Sequence, residues 1–199
     1  MPWGDSRGTG DGGRLEGGNI FIAGTLALGN LSSATVNLGC GAHSVVLNKA
    51  NVFFAKLTPS GSCTGDKVFL SDGEADVSGN VADGANRPIA AFSLSSTTDF
   101  GGGTIGGSGA RGWAIASFNT AGAFRWARTA DASSTAYSVG PAHPSGVAAN
   151  ASRIIVLGLV VGSCATTCST SPPSTTLVLA GKTLTAVSAQ DLFLSSFVP

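Results

Sequence analysis

Charge is what this sequence has least of. Only 11% of its residues are Asp, Glu, Lys or Arg, and the 11 basic residues balance 11 acidic ones. Neutralising a phosphate backbone takes clustered Lys and Arg; here they are dispersed, which argues against a nucleic-acid partner. The strong helix formers Glu, Lys, Gln and Met are scarce, so long amphipathic helices are not expected. Histidine occurs twice, as His43 and His143, there is no G-x-S-x-G elbow, and no pair of carboxylates recurs. No catalytic residue and no cofactor is therefore assigned. The longest apolar run, Ile154 to Val161, is broken by Gly158 and is much shorter than the roughly 18 residues of a membrane-spanning helix. The start, Met1-Pro2-Trp3-Gly4-Asp5-Ser6-Arg7, has neither the basic nor the apolar region of a secretory signal. Either a signal has been removed, or the chain is a piece of something longer.

What the sequence does have is glycine, 29 residues of it, with Ser and Thr supplying most of the remaining polarity. Short bursts of Val, Ile, Thr and Phe alternate with Gly, Asn, Asp and Pro, the pattern of strands separated by turns. With 43% hydrophobic residues over 199 positions there is material for one compact core. The expectation is a single all-β domain.

The bursts repeat. The block Gly41 to Leu57 (GAHSVVLNKANVFFAKL) lies without gaps over Gly102 to Phe118 (GGTIGGSGARGWAIASF) and Gly181 to Phe197 (GKTLTAVSAQDLFLSSF). Each block ends in a strand: Val52–Leu57, Trp113–Phe118 and Leu192–Phe197. A second strand precedes each block, Ile20–Leu26, Ile89–Leu94 and Ile154–Val160, and a further strand follows in two units, Gly61–Phe69 and Gly122–Arg128. The inner strands are apolar at adjacent positions, as strands covered on both faces are. Small sheets of four strands stacked face to face, as in a β-propeller blade, fit this pattern; a β-sandwich built from a duplicated hairpin is the alternative. The repeats are placed at 15–70, 82–130 and 147–199, and residues 1–8, whose Trp3 and Arg7 resemble Trp126 and Arg128, are placed as a strand completing a blade.

These units resemble the bacterial β-propeller repeats of large secreted or surface proteins, notably those of myxobacteria. The resemblance is carried by Gly18-Asn19-Ile20-Phe21-Ile22-Ala23-Gly24, by Asp99-Phe100-Gly101-Gly102-Gly103, by Val52-Phe53-Phe54-Ala55-Lys56-Leu57, by the turn Thr58-Pro59-Ser60-Gly61, and by Arg125-Trp126. It covers nearly the whole chain, most closely in the first unit. It implies an array of about three four-stranded antiparallel blades, closed by the N-terminal strand or cut from a larger propeller, and a place outside the cell or on a bacterial surface. Three units are fewer than the roughly four to eight blades of a closed ring, so partners supply the rest or the chain is a fragment. A noncatalytic scaffold or binding module, with an unknown protein or carbohydrate ligand, is the function implied. The alternatives are part of a carbohydrate-active propeller enzyme, which would need rim acids such as Asp72 and Asp83 to converge, and a structural subunit forming homo-oligomers through its sheet edges.

Four cysteines in such a composition point to disulfides. Cys40 and Cys63 are paired on the expectation that the two halves of the Gly41 block run antiparallel, and Cys164 and Cys168 are expected to close a small loop. Zinc is disfavoured because Cys164-Ala165-Thr166-Thr167-Cys168 has no second pair at matching spacing. Asp72, Glu74, Asp76 and Asp83 gather oxygen donors among glycines, as calcium loops do; without the spacing of an EF-hand, the segment 72–86 reads more simply as a solvated loop. Gly8–Gly13 and Gly101–Gly106 match G-x-G-x-x-G, but no helix pattern follows either, so no nucleotide site is assigned. His43 is expected at an ordinary strand or turn position and His143 in a loop. Trp3, Trp113 and Trp126 could stack on sugars, but Trp113 aligns with Val52 and Leu192 and is assigned, with Trp126, to the core.

Overall fold

The computed structural model describes residues 10–14, 18–27, 34–45, 49–73, 75–106, 112–133, 142–161, 176–179, 182–185 and 190–199. The segment 1–8 lies outside the described residues, and so do Cys164 and Cys168. The protein is all-β, and its strands follow one plan twice in full and a third time without a fourth meander strand among the described residues. Unit 1 comprises β1 (Gly10–Arg14), β2 (Ile20–Ala27), the hairpin β3 (Ala34–Asn37) and β4 (Ala42–Val45), β5 (Ala50–Leu57) and β6 (Cys63–Phe69). Unit 2 comprises β7 (Ala75–Ala82), β8 (Pro88–Leu94), the short hairpin β9 (Thr98–Asp99) and β10 (Thr104–Ile105), β11 (Gly112–Phe118) and β12 (Phe124–Ser133). Unit 3 comprises β13 (Ala142–Ala149), β14 (Ile154–Val161), the hairpin β15 (Thr176–Leu179) and β16 (Lys182–Thr185), and β17 (Gln190–Phe197).

Every sheet is antiparallel. Sheet 1 has the order β1-β2-β5-β6 and sheet 3 the order β13-β14-β17; sheet 2 runs β7-β8-β11-β12 and is extended by β15 and β16, which join it at the end of β12. The small hairpin thus interrupts each meander at the same place, between its second and third strands. The meanders close on tight turns. Thr58 and Asn119 open equivalent turns, their side-chain oxygens accepting the N–H groups of Ser62 and of Ala121 and Ala123. Gly61 and Gly122 take the positive φ each turn requires, 84° and 81°.

The core is two layers between three stacked sheets. Phe21, Ala23, Val52 and Phe54 of sheet 1 pack on Ala90, Phe92, Ala114, Ala116 and Phe118 of sheet 2, with Phe100 from the β9–β10 hairpin between them. Ile89, Trp113 and Ile115, on the other face of sheet 2, pack on Ile154, Val156 and Phe193 of sheet 3. Strict alternation along β11 sends Trp113 and Ile115 one way and Ala114, Ala116 and Phe118 the other, and this is why that strand reads as an unbroken apolar run. Backbone contacts support the stack: Thr25 of β2 accepts the Val77 N–H of β7 and donates to the Ala75 carbonyl.

The first strand of each unit, β1, β7 and β13, begins at Gly10, Ala75 and Ala142. Three expectations are corrected. The segment 72–86 is not a loop, since Ala75–Ala82 pairs along β8. His143 is not in a loop either; it sits in β13 opposite Leu159. Coverage of both faces holds for sheet 2 but not for sheet 3, where Leu192 and Leu194 stand in solvent.

Candidate functional site

Among the described residues, two places come into question as a site. The first lies where the β3–β4 hairpin meets its own sheet. Asp66 of β6 projects from the face of sheet 1 turned away from sheet 2, and its side chain is only 5% exposed. Its Oδ1 lies 2.7 Å from His43 Nε2 on β4, and its Oδ2 accepts the Cys40 N–H at 3.2 Å. Beside this pair runs the Cys40–Cys63 disulfide, with its Cα atoms 5.3 Å apart. The bridge expected from the sequence is present, but its geometric reason differs. The two halves of the Gly41 block do not pair, because β4 pairs with β3, and β5 pairs with β2 and β6. Cys40 instead occupies the hairpin turn and Cys63 the start of β6, and the hairpin folds over the sheet to bring them together. The sulfurs are committed to each other, so the grouping of Cys40, Cys63 and Asp66 within ligand distance does not offer a thiolate set to a metal.

The second place is a cleft of about 250 Å³ between sheets 1 and 2, floored by Phe21 and Phe54 and rimmed by Lys56, Thr64 and the Asn119–Gly122 turn. The Lys56 ammonium donates to the Thr120 carbonyl at 3.1 Å, joining the two sheets across its mouth. Ligand pockets run from about 300 to 1,000 Å³. This cleft is smaller, and its one cation is engaged by the protein itself.

Of the acidic residues singled out in the sequence, Glu74 lies outside the described residues, and Asp72, Asp76 and Asp83 do not converge. Asp72 precedes β7 and Asp83 follows it, so an eight-residue strand of roughly 3.3 Å per residue holds them some 25 Å apart at opposite ends of sheet 2. Asp76 lies within the strand, opposite Ser93. Asp72 accepts from Thr97 Oγ1 at 2.8 Å and from Lys49 Nζ at 3.3 Å; these bonds, the Thr97 bond first, hold its carboxyl below its ordinary value. Asp83 is buried. One of its oxygens accepts the N–H groups of Ala85 and Arg87, and the other accepts from the Arg87 guanidinium at 2.7 Å. That is the wiring of a turn, which Asn150 repeats in unit 3 by accepting the N–H groups of Ser152 and Arg153. Neither the rim acids required for glycoside hydrolysis nor a calcium cage is assembled from these residues.

No protein-family model matches the chain, and no curated protein does.

The remaining motifs resolve as backbone. Gly10–Gly13 of the first G-x-G-x-x-G form β1, and the second is the turn between β9 and β10, where Asp99 Oδ1 accepts the N–H groups of Gly101 and Gly103. No α-helix follows either one among the described residues. Trp113 is fully buried, stacked on Phe193 at 5.5 Å, so it presents no face to a sugar. Trp126 is half-buried against the same cluster, with the Arg128 guanidinium 5.6 Å above its ring. The His43–Asp66 pair was not foreseen. Its partners are 23 residues apart, and only the fold-back of the hairpin, invisible as a sequence pattern, joins them.

Proposed function

We propose that this chain is a noncatalytic β-repeat module of propeller type, acting outside the cell or on a cell surface as a rigid scaffold whose rim and faces meet a protein or carbohydrate. The observation that carries this reading is the thrice-repeated meander with a hairpin between its second and third strands, stacked sheet on sheet. Radial stacking of such meanders is what a propeller is. The enzyme alternative is disfavoured because Asp72 and Asp83, its only candidates, are at opposite ends of sheet 2. The Cys40–Cys63 bridge favours an oxidising compartment, and no helix among the described residues is long and apolar enough to cross a membrane.

The compartment is testable without knowing the ligand. Protein recovered from its native cells under acid quench and alkylated before reduction should carry no label on Cys40 or Cys63. Quantitative labelling of both thiols by mass spectrometry would place the chain in a reducing compartment and remove the extracellular reading.

A further inference from the structure

Each sheet has a forward face, turned toward the next unit, and a backward face, turned toward the preceding one. The forward faces of sheets 1 and 2 use the same positions. Val52 and Phe54 of β5 correspond to Trp113 and Ile115 of β11, and all four are buried against the next sheet. In β17 those positions are Leu192 and Leu194, which are 74% and 71% exposed. The second strands agree. Phe21 and Ala23 of β2 match Ile89 and Ala91 of β8, all buried, and match Ile155 and Leu157 of β14, which are 41% and 43% exposed. Sheet 3 therefore presents, uncovered, the half-interface that the chain buries twice internally. The other half is the backward face of sheet 1, where Ile20, Ile22, Phe53 and Leu57 are half-buried and occupy the positions of Ile154, Val156, Phe193 and Phe197, which pack on sheet 2.

We propose that a second copy of this chain covers these faces head to tail, the forward face of sheet 3 in one copy packing on the backward face of sheet 1 in the other, and that two copies close a ring of six sheets. Continuity with the two internal interfaces identifies the occupant, because the exposed positions are those that already recognise a neighbouring sheet of this same repeat. No charged side chain interrupts the exposed positions of β14 and β17. Area favours closure over an open chain. A face of three eight-residue strands measures roughly 14 by 26 Å, or roughly 400 Å² per side. That is about half of the ~800 Å² per partner usual in a stable complex. A closed pair makes the contact twice, with both faces of each copy, and reaches that size. A head-to-tail contact closes into a ring or runs on as a filament according to its rotation, and six sheets fall within the range of about four to eight found in closed rings. This inference rests on the stacking of the sheets and is independent of the compartment.

The test is the solution mass of the full chain by light scattering. The expected value is twice the protomer's 19.6 kDa. The double variant Leu192→Asp/Leu194→Asp should halve that mass while keeping the buried-tryptophan fluorescence of Trp113, since both leucines lie on the exposed face. Leu184→Asp, on the exposed hairpin strand β16, should leave the dimer intact. A monomeric wild type, or a dimer indifferent to the double variant, would overturn the proposal. A mass that keeps growing with concentration would overturn the closed ring.

Discussion

Replacing both Cys40 and Cys63 by Ser should destabilise the protein by about 3.4 kcal/mol while leaving its fold in place. The bridge spans a sequence separation of 23, and constraining a loop of that length in the unfolded chain removes about 11 cal/mol/K of entropy, which at 25 °C is that free energy. Folding itself should survive, because no residue of the β3–β4 hairpin belongs to either core cluster and the hairpin keeps its attachment through His43 and Asp66. Both cysteines must go, since a single substitution would leave a thiol able to exchange with Cys164 or Cys168. With a urea slope of about 2 kcal/mol/M, the unfolding midpoint should fall by roughly 1.7 M, and for a chain of this size the melting temperature should fall by about 7–14 °C. Circular dichroism and tryptophan fluorescence should lose their signals together, which licenses the comparison as two-state. A loss under about 1 kcal/mol would refute the reasoning, because the unfolded chain would then have to hold the hairpin near β6 without the bridge.

Two buried polar groups give further predictions. Trp113 Nε1 is buried with no hydrogen-bond partner among the described residues. Trp113→Phe removes an unsatisfied donor costing about 1–3 kcal/mol at the expense of a small cavity, so the unfolding free energy from chemical denaturation should change by less than about 1.5 kcal/mol. Trp113→Ala should cost about 3–5 kcal/mol. Asp83→Asn turns an amide toward the Arg87 guanidinium in a fully buried position; because Arg87 is 31% exposed, the loss should lie near the lower end for a broken buried pair, about 3 kcal/mol, read from the same denaturation curves. The exposed Asp72–Lys49 pair should be insensitive to substitution by comparison.

The third strand of each unit was legible from its apolar run; β11, with Trp113, Ile115 and Phe118 buried between two sheets, could hardly be anything else. The first strands were not legible. Gly10-Asp-Gly-Gly-Arg14, Ala75–Ala82 and Ala142–Ala149 contain Gly, Asp and Pro where a strand pattern wants β-branched residues. They are held by backbone pairing and by close approach. Gly79 of β7 faces Gly146 of β13, where an added Cβ would meet the backbone at an ordinary contact distance of 3.6 Å. Pro144 is tolerated because β13 is the edge of its sheet and its register shifts between Pro144 and Gly146. Asp83 shows the same limit at the candidate site. Its composition context reads as a solvated loop, whereas its oxygens are consumed by the backbone N–H groups of Ala85 and Arg87 and by the Arg87 guanidinium, a local demand that charge counting cannot see.

Alignment of the units explains why the one described disulfide sits in unit 1. Phe124 opens β12 at the position that Cys63 holds in β6, each pairing with the last residue of the strand before it, Phe118 and Leu57. Gly101 and Gly102 align with Cys40 and Gly41. In unit 2 the hairpin turn lies directly on the Phe124 ring, so close that a Cβ on Gly102 would overlap it. The hairpin is held there by van der Waals contact, by the burial of Phe100 between two sheets and by Thr98 donating to Ser71 across to the end of unit 1. Unit 1 has no preceding sheet among the described residues to bury the equivalent of Phe100, which is Gly39. In its hairpin the ring contact is replaced by a covalent bond, with Gly41 left in open space. The disulfide, Asp66 and His43 thus tie the first unit's hairpin to its own β6, where packing on Phe124 and the burial of Phe100 hold the second.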